Sequence, residues 1–426
     1  MIYVGIDVAK DKHDCHIMRD DGEVVLDNCT IENSREGFTK LHSLIRSAQR
    51  RKEEVRIGLE HTGHYSQNIF AYLKGLDYDV VALNPLKVNL YRKSKSLRST
   101  KTDKSDARYI AEVTAETVFE KRRYVIHDVM VMKSLTRYRY RVQRTLQTTR
   151  NRYRRVLQLV FPEFEKHFNV NYRSAVELIG KYSSPREVLS ADRDRLVKNL
   201  DRLSYGRYGK RADELISAAE SSIGVSNVGD AFELKRLSRL IAFLEDELSL
   251  LEEKLSAILE RLHSPILTIP GIGVNTGATI LAEIGNIKNF DNDAKLLAFV
   301  GGEPTIYQSG KFVQTHSTMV KKGSKYLRNA LFLATKSAYV LDPAMREYVN
   351  KKRAEGKHFF VALTHGMKKM TRVLFAVLKS GKPYECPLSA KAEETKITTP
   401  EEGAVTKDPK VFPLVGGDQH LINILR

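Results

Sequence analysis

Apolar and polar positions along the N-terminal part of the chain predict several strands and then strands that alternate with helices. Runs rich in β-branched residues predict strands at residues 2–8, 13–18, 21–25, 79–84 and in a stretch that ends near residue 60. Amphipathic stretches predict helices at residues 37–49 and 66–74. A three-stranded meander followed by alternating helices and strands is typical of an α/β domain with a mixed sheet.

The pattern becomes helical at about Asp103 and remains so to about Lys379. Residues 163–231 predict short helices broken by proline and glycine, with no role assigned. From Leu237 to Leu262, leucine and isoleucine recur at alternating steps of four and three, as at the a and d positions of a coiled coil. An intramolecular helical hairpin would carry the same seam. The seam's length and unbroken apolar character favour a coiled coil between subunits, and therefore a homodimer or a tetramer.

These patterns divide the chain into five segments. We expect an α/β domain ending with a basic helix, a helical insertion, a coiled coil, a mostly α C-terminal domain and a disordered tail, at residues 1–162, 163–231, 232–264, 265–384 and 385–426. The tail is assigned from its composition, because Lys, Glu, Thr and Pro dominate beyond Pro383 and apolar residues are few.

The charge balance indicates the class of partner. The chain has 70 Lys and Arg against 52 Asp and Glu, a formal net charge of +18, which favours a polyanion such as nucleic acid. No apolar run reaches the ~18–20 residues that span a bilayer, and charged residues interrupt any signal peptide. Three cysteines without metal-ligand or disulfide spacing fit a reducing compartment. We therefore expect a cytoplasmic protein that binds no membrane.

One long helical stretch is strongly basic. Residues 129–162 contain one lysine and eight arginines but no Asp or Glu. A solvated basic surface is the ordinary explanation of a charge run, but 34 residues without an acid favour contact with a phosphate backbone. Five arginines fall near one face at helical spacing: Arg137, Arg141, Arg144, Arg152 and Arg155. Nothing in the pattern distinguishes RNA from DNA.

Four carboxylates stand where a hard cation would need them. Asp7 interrupts a strand that should exclude an unpaired charge, and Glu60 ends another strand. Asp103 and Asp106 are three residues apart, on one face of a predicted helix start. Each alone has an ordinary explanation: a strand-end turn, a surface acid, a helix cap or an ion-pair partner. Together, in a strongly basic chain, they favour Mg²⁺, with Mn²⁺ as a substitute, in a phosphoryl-transfer site.

Several motifs, in order, resemble a known family. The stretches "GIDVAKDKHDCHIM", "LEHTGHY" and "KTDKSDARYIA" resemble the ribonuclease-H-like, resolvase-type domain of the DEDD insertion-sequence transposases, the group that includes the Piv invertases. The stretches "LTIPGIGVNTGATILAEIGNIKNFDNDAKLLAFVGGEPTIYQSG" and "KKGSKYLRNALFLA" look like that group's second domain. The resemblance covers roughly residues 1–112 and 265–340. Residues 163–231 depart from the compact members of the group.

The resemblance implies more than the residues alone do. It implies that Asp7, Glu60, Asp103 and Asp106 form the DEDD metal site, and that Ser309 is a nucleophile that attacks DNA. It also implies a structured guide RNA that pairs with donor and target DNA, subunits that share the active site, and a bacterial or archaeal, nucleoid-associated protein. From its own chemistry, "QSGK" around Ser309 is a polar turn.

The C-terminal domain offers two further candidate contacts with nucleic acid. The stretch "PGIGVNTGATILAEIG" looks like a helix-hairpin-helix element, in which Gly271 and Gly273 would let the backbone approach a phosphate. An ordinary glycine-rich turn between packed helices would look similar. Four cations that follow have a spacing suited to phosphates or to a solvated helix end: Lys321, Lys322, Lys325 and Arg328.

Three alternatives to a serine transposase remain open. A ribonuclease-H-like nuclease or junction resolvase would use the same carboxylates with water as its nucleophile. A sugar-kinase-like ATPase would share the "GIDVAK" strand and turn, but the chain has no convincing second phosphate or adenosine motif. A nucleic-acid-binding protein without activity would not need Mg²⁺. A transposase or recombinase accounts for the most motifs.

Overall fold

The computed structural model of the 426-residue chain forms two compact units, Met1–Arg122 and Arg123–Arg426. The structure describes residues 1–51, 53–60, 65–83, 85–95, 103–116, 127–206, 208–225, 227–303, 308–309, 312–313 and 319–387. The predicted tail at 385–426 lies almost entirely outside the described residues. The long basic helix groups with the second unit, whereas the sequence pattern assigned it to the N-terminal domain.

A five-stranded mixed sheet forms the centre of the first unit. Its strands are β1 (Ile2–Val8), β2 (Lys12–Arg19), β3 (Val24–Glu32), β4 (Val55–Glu60) and β5 (Asp79–Leu83). The spatial order is β3-β2-β1-β4-β5; β2 is antiparallel to both β1 and β3, while β1, β4 and β5 are parallel. The predicted α/β architecture with a mixed sheet is confirmed, although the third strand begins and ends later than predicted.

Four helices accompany this sheet: α1 (Arg35–Ala48), α2 (Tyr65–Gly75), α3 (Pro85–Lys95) and α4 (Asp103–Glu116). The first begins where the Ser34 side chain accepts a hydrogen bond from the N–H of Gly37, which satisfies an otherwise unpaired donor of the first turn. Its buried Phe38, Leu41 and Ile45 recur at steps of three and four, so one face packs into the core of the unit.

The second unit is built on two long helices, α5 (His127–Val160) and α11 (Val228–Leu262). They run antiparallel, because Arg261 near the end of α11 pairs with Asp128 at the start of α5, while Arg152 near the end of α5 lies 3.7 Å from Glu233. Shorter helices fill the interval: α6 (Phe164–His167), α7 (Arg173–Lys181), α8 (Pro185–Leu189), α9 (Arg193–Ser204) and α10 (Ala212–Glu220). Residues 163–231 therefore belong to the packed core around α5 and α11.

The leucine seam of α11 is buried within the chain. Leu237, Ile241, Leu244 and Leu251 belong to the core that α11 shares with α5 and α7, and Leu255 belongs to a core shared with α5 and the first helix of the C-terminal part. The seam is therefore that of an intramolecular helical hairpin, the alternative that the pattern allowed. Because these side chains are covered within the chain, burial of the seam does not require a second subunit.

The remaining helices form a mostly helical C-terminal part, as predicted. They are α12 (Val274–Ile284), α13 (Asp293–Val300), α14 (Lys325–Leu341), α15 (Pro343–Ala354) and α16 (Phe359–Ser380), with two short paired strands, β6 (Gln308–Ser309) and β7 (Phe312–Val313). Their apolar faces meet in one core. In the part of the chain that the structure describes, no helix is long and apolar enough to cross a bilayer.

Candidate functional site

Two of the predicted carboxylates meet at one edge of the sheet. Ile6 of β1 pairs with Leu59 of the parallel strand β4, so the next residue on each strand, Asp7 and Glu60, lies beside the other at the carboxyl ends. Residues two apart on a strand share a face, so these side chains lie on the face of Gly5 and Gly58, respectively. Both carboxylates are half-buried.

The missing side chains of those glycines let α4 cross this face closely. A Cβ on Gly5 would lie 2.1 Å from the carbonyl oxygen of Ala107, and one on Gly58 would lie 1.8 Å from the hydroxyl of Thr114. Both contact residues belong to α4. The helix that carries the second pair of predicted carboxylates therefore packs on the face of the sheet that carries the first pair.

Asp106 directly precedes Ala107 on α4 and is only 7% exposed. Its carboxylate accepts a hydrogen bond of 3.4 Å from the guanidinium of Arg92 on α3, so a cation from the chain itself is in contact with it. Asp103 is the first residue of α4, and its side chain lies outside the described residues. The topology thus brings Asp7, Glu60 and Asp106 to one side of the sheet.

Asp14 is a fifth carboxylate at this edge, and the sequence reasoning missed it. It lies directly opposite Asp7 in the antiparallel pairing of β1 with β2, and it is 6% exposed. The Thr30 hydroxyl donates a 2.5 Å hydrogen bond to Asp14. Two like charges in direct cross-strand contact are unfavourable unless something compensates them. The strand alternation could have revealed Asp14 once the turn between β1 and β2 was fixed.

The carboxylate oxygens are the donor type that Mg²⁺ prefers, so the chemistry of the set fits a hard cation. Among the side chains that the structure describes, no three His, Cys, Asp or Glu residues converge closely enough to hold a metal ion. Asp103 is excluded from that statement, since its side chain is not described. Asp7, Glu60 and Asp106 are therefore a candidate ligand set on one face, without a closed coordination geometry among the described side chains.

The basic face of α5 separates into exposed and internally paired arginines. Arg141, Arg144 and Arg155 are exposed and make no ion pair in the described part of the chain. Arg152 is exposed as well, with the weak contact to Glu233 described above. This surface carries positive charge without a bound carboxylate along several turns, as expected of a contact with phosphates.

Arg137, predicted to contact nucleic acid, has partners within the fold. Its guanidinium donates two hydrogen bonds, of 2.7 and 3.0 Å, to the carboxylate of Glu283 on α12, whose side chain is 2% exposed. Its planar head also stacks 4.9 Å from the ring of Tyr326. The hydroxyl of Ser324, the N-cap of α14, donates a third hydrogen bond to Glu283 at 2.9 Å. Arg137 therefore joins three helices instead of presenting a free cation to nucleic acid.

The sequence reasoning also missed Glu283, although a signal was available. It is the one acid in the otherwise apolar stretch "GATILAEIG", which raises the same question as Asp7 in its strand. A lone carboxylate on the buried face of a helix requires a cationic partner within the fold. The pattern could not say which arginine provides it.

The glycine-rich turn before α12 has an internal explanation at one position. Gly271 has a φ of +87°, and a Cβ there would lie 2.4 Å from the backbone nitrogen of Ala338 on α14, so close helix packing requires a glycine. Gly273 is exposed at the N-cap of α12, with nothing within 4 Å of a built Cβ. Only Gly273 remains open to a phosphate, and a helix-hairpin-helix function stays a prediction.

The four cations beyond Ser309 also divide. Lys322 and Lys325 are exposed and Lys321 is half-buried, which leaves them available to phosphates. Arg328 is 4% exposed and hydrogen-bonds backbone carbonyls, an arrangement that does not favour its predicted contact with nucleic acid. Helical spacing placed it with the lysines, but the fold turns it inward. Ser309 lies on β6 opposite Phe312, and its side chain is outside the described residues.

Comparison with known proteins identifies the class. A model of DEDD transposases related to IS110 matches residues 4–162, and a model described as "Transposase IS116/IS110/IS902 family" matches residues 263–350. Together they cover more than half of the 426 residues. The chain is thus an enzyme of the type that cuts and rejoins DNA.

The relatives agree over almost the whole length. The chain is 28% identical to an uncharacterized 43.6 kDa protein of insertion element IS110 from Streptomyces coelicolor, over 92% of this chain and 97% of the relative. It is 24% identical to the pilin gene-inverting protein of Moraxella bovis, over 90% and 97%. A 44.8 kDa protein of insertion element IS116 from Streptomyces clavuligerus is 26% identical over 89% and 94%. The chain belongs to the DEDD family of insertion-sequence transposases.

Proposed function

We propose that this transposase cuts and rejoins DNA strands with a DEDD metal site in a ribonuclease-H-like domain and with Ser309 as the nucleophile. The observation that carries the proposal is the placement of Asp7 and Glu60 at the ends of neighbouring parallel strands, under the helix that carries Asp103 and Asp106. The sheet has the order β3-β2-β1-β4-β5. Strands β3, β2 and β1 are antiparallel neighbours, whereas β1, β4 and β5 are parallel, and this arrangement supports the ribonuclease-H-like fold.

The carboxylates would hold Mg²⁺, which when bound stabilises negative charge on the phosphate and lowers the pKa of a coordinated hydroxyl. Asp7 and Glu60 offer oxygens from the sheet, and Asp106 offers them from α4. Because Arg92 neutralises Asp106 at 3.4 Å, its guanidinium holds that carboxylate in place and has to share it when a cation binds.

Ser309 would form an ester bond to the phosphorus of a DNA phosphodiester while the bond from phosphorus to one deoxyribose oxygen breaks. The serine loses its proton, and the departing strand end gains one as a free hydroxyl. One phosphoester bond forms for each one broken, so the reverse attack by a strand hydroxyl rejoins DNA without an external energy source. This role rests on the resemblance of "YQSGKF" to the family's serine motif.

The exposed arginines of α5 would contact a nucleic-acid backbone. Their partner is DNA, donor or target, or a structured guide RNA that pairs with both, as the resemblance implies. Arg141, Arg144 and Arg155 make no ion pair in the described part of the chain, which favours contact with phosphates over contact with bases. Assembly into a dimer or tetramer belongs to the same proposal, through surfaces other than the buried seam of α11.

A covalent-adduct assay tests the proposal. Purified protein, Mg²⁺, RNA transcribed from the flanks of the gene and end-labelled DNA are mixed, denatured and separated by size. The expected result is a protein-linked DNA band that needs Mg²⁺ and is lost in Ser309→Ala and in Asp7→Ala. Ser222→Ala provides a matched serine variant outside the proposed site.

Two other results would each have a clear meaning. Cleaved DNA without an adduct, unchanged in Ser309→Ala, would replace the serine mechanism with a nuclease or resolvase that uses water. Adduct formation that persists in Asp7→Ala, or without any divalent cation, would remove the carboxylates from the chemistry and leave the serine in place.

A further inference from the structure

Arg328 is a buried cation whose position is unfavourable for stability. Its side chain lies on the inner face of α14 at 4% exposure, and it pairs with no carboxylate in the described part of the chain. Its Nε is also buried without a hydrogen-bond partner among those residues. Burial lowers the pKa of Arg328, because desolvation penalises the charged form. A residue held under such conditions usually performs a function.

The hydrogen bonds of Arg328 join two segments that are distant in sequence. Its Nη1 donates to the carbonyl of Val300 at 3.1 Å, at the end of α13, and to the carbonyl of Gly323 at 2.7 Å, just before α14. These carbonyls flank the stretch that contains Ser309 on its strand β6. We call residues 300–303 together with 320–324 the neck of this stretch.

Backbone hydrogen bonds join the two segments of the neck. The N–H of Val320 donates to the carbonyl of Glu303 at 2.9 Å, and the N–H of Lys321 donates to the carbonyl of Gly301 at 3.1 Å. A Cβ on Gly323 would lie 2.1 Å from the carbonyl oxygen of Phe299, so only a glycine permits this approach. The two segments of the neck are therefore joined by backbone hydrogen bonds, and the Arg328 side chain adds one hydrogen bond to each segment.

The neck is also linked, through Glu283 of α12, to the helix α5 that carries the basic surface. Ser324, the last residue of the neck, donates its hydroxyl to Glu283, which Arg137 of α5 holds with two hydrogen bonds. Arg328 fixes the neck from α14, and this network fixes it from α12 and α5. The position of the neck is thus determined by groups from three helices.

We infer that Arg328 is a positioning residue that holds the two ends of the Ser309 stretch together, and so sets where the nucleophile stands. The inference rests on the proposed role of Ser309. A guanidinium has two N–H groups on one nitrogen in a rigid plane at the end of a long side chain, so Nη1 can donate to two carbonyls at once; a lysine ammonium is smaller and is oriented by flexible rotation. Because Nη1 is engaged within the fold and the side chain is only 4% exposed, Arg328 is poorly placed to bind a phosphate.

The test compares Arg328→Met and Arg328→Lys with Lys325→Met, at an exposed position three residues earlier on α14. Methionine is close in length to the aliphatic stem of arginine and removes the charge, so no unpaired charge is left buried. Four quantities are measured on the full chain: the thermal midpoint, the amide exchange of Val320 and Lys321, the affinity for DNA with its salt dependence, and the rate of adduct formation.

For Arg328→Met we expect an unchanged or higher thermal midpoint, amide exchange of Val320 and Lys321 about tenfold faster or more, and unchanged DNA affinity. Adduct formation should slow about 100-fold, because a misplacement of about 1 Å costs that much. Arg328→Lys should recover part of the exchange protection and part of the rate. Lys325→Met should reduce the salt dependence of DNA affinity and leave amide exchange in the neck unchanged.

Two results would overturn the inference. A lower thermal midpoint with a parallel loss of every activity would make Arg328 a stability residue. Unchanged exchange in the neck, with a salt slope reduced by about one, would make it a phosphate contact. If exchange rises as expected while Ser309→Ala still forms the adduct, the neck function stands and the serine mechanism fails, so the two failures remain distinguishable.

Discussion

Gly5→Ala tests whether α4 crosses the sheet as closely as the candidate site requires. The added Cβ would lie 2.1 Å from the carbonyl oxygen of Ala107 and 2.4 Å from the backbone nitrogen of Ala111. An ordinary contact begins at 3.4 Å, so β1 and α4 must separate by about 1.3 Å. Both obstacles are backbone atoms inside a helix, so no side-chain rotation can relieve the clash.

The expected cost follows from this displacement. Overpacking typically costs about 1–3 kcal/mol, and a rigid obstacle places Gly5→Ala at the upper end of that range. The lower backbone entropy of alanine in the unfolded chain offsets roughly 0.5–1 kcal/mol. We therefore expect the free energy of unfolding of the first unit to fall by about 2 kcal/mol. Because Asp106 directly precedes Ala107, Mg²⁺-dependent cleavage should fall by more than the unfolded fraction explains.

Hydrogen exchange is a suitable assay because the chain contains no tryptophan to report unfolding by fluorescence. Exchange of the β1 amides of Val4 and Ile6 gives the free energy of opening the sheet. Gly75→Ala is the matched control, since nothing lies within 4 Å of a Cβ there, and its effect should be within about 0.5 kcal/mol. Equal exchange in Gly5→Ala and the wild type would refute the close packing of α4 on β1.

Three further predictions follow from the charges. Glutamine should replace three exposed arginines of α5 together: Arg141, Arg144 and Arg155. The slope of the logarithm of the duplex-DNA binding constant against the logarithm of the salt concentration should then become shallower by about 2.7, as measured by titration at several ionic strengths. Arg137→Gln should leave that slope unchanged but lower the thermal midpoint, because it leaves the buried carboxylate of Glu283 without its cation. Burial lowers the pKa of His13 below its usual 6.5, so the folded state binds its proton less readily than the unfolded state does. Stability should therefore fall as the pH drops below about 6.5, by up to about 1.4 kcal/mol per pH unit. The urea midpoint at pH 7.5 and 5.5 measures this loss, which His13→Phe should reduce; an equal loss in that variant would exclude His13 as its source.

Local chemistry made the N-terminal unit predictable. Runs rich in β-branched residues gave the strands, with Asp7 inside one strand and Glu60 at the end of another, since this signal depends on near neighbours. The third strand was misplaced because the turn after Arg19 moved its start to Val24. Asp14 was missed because its meaning depends on the cross-strand pairing with Asp7.

Tertiary structure decided which charges remain exposed. Arg137 and Arg141 lie four residues apart on one helix, yet the first is bound to Glu283 and the second is exposed. Lys325 and Arg328 are separated by less than one turn, with one in solvent and the other buried. Helical periodicity assigns residues to faces, but the elements that cover each face come from distant parts of the chain.

The seam of α11 shows the same division most clearly. The sequence by itself determined that Leu237, Ile241 and Leu244 form an apolar stripe on a long helix, because the spacing of four and three is a local property. It did not determine which helix covers the stripe, since a helix of the same chain and a helix of a second chain can bury the same apolar surface. Only the tertiary structure, which lays α5 along this stripe within one chain, decided that a second copy is not needed to cover it.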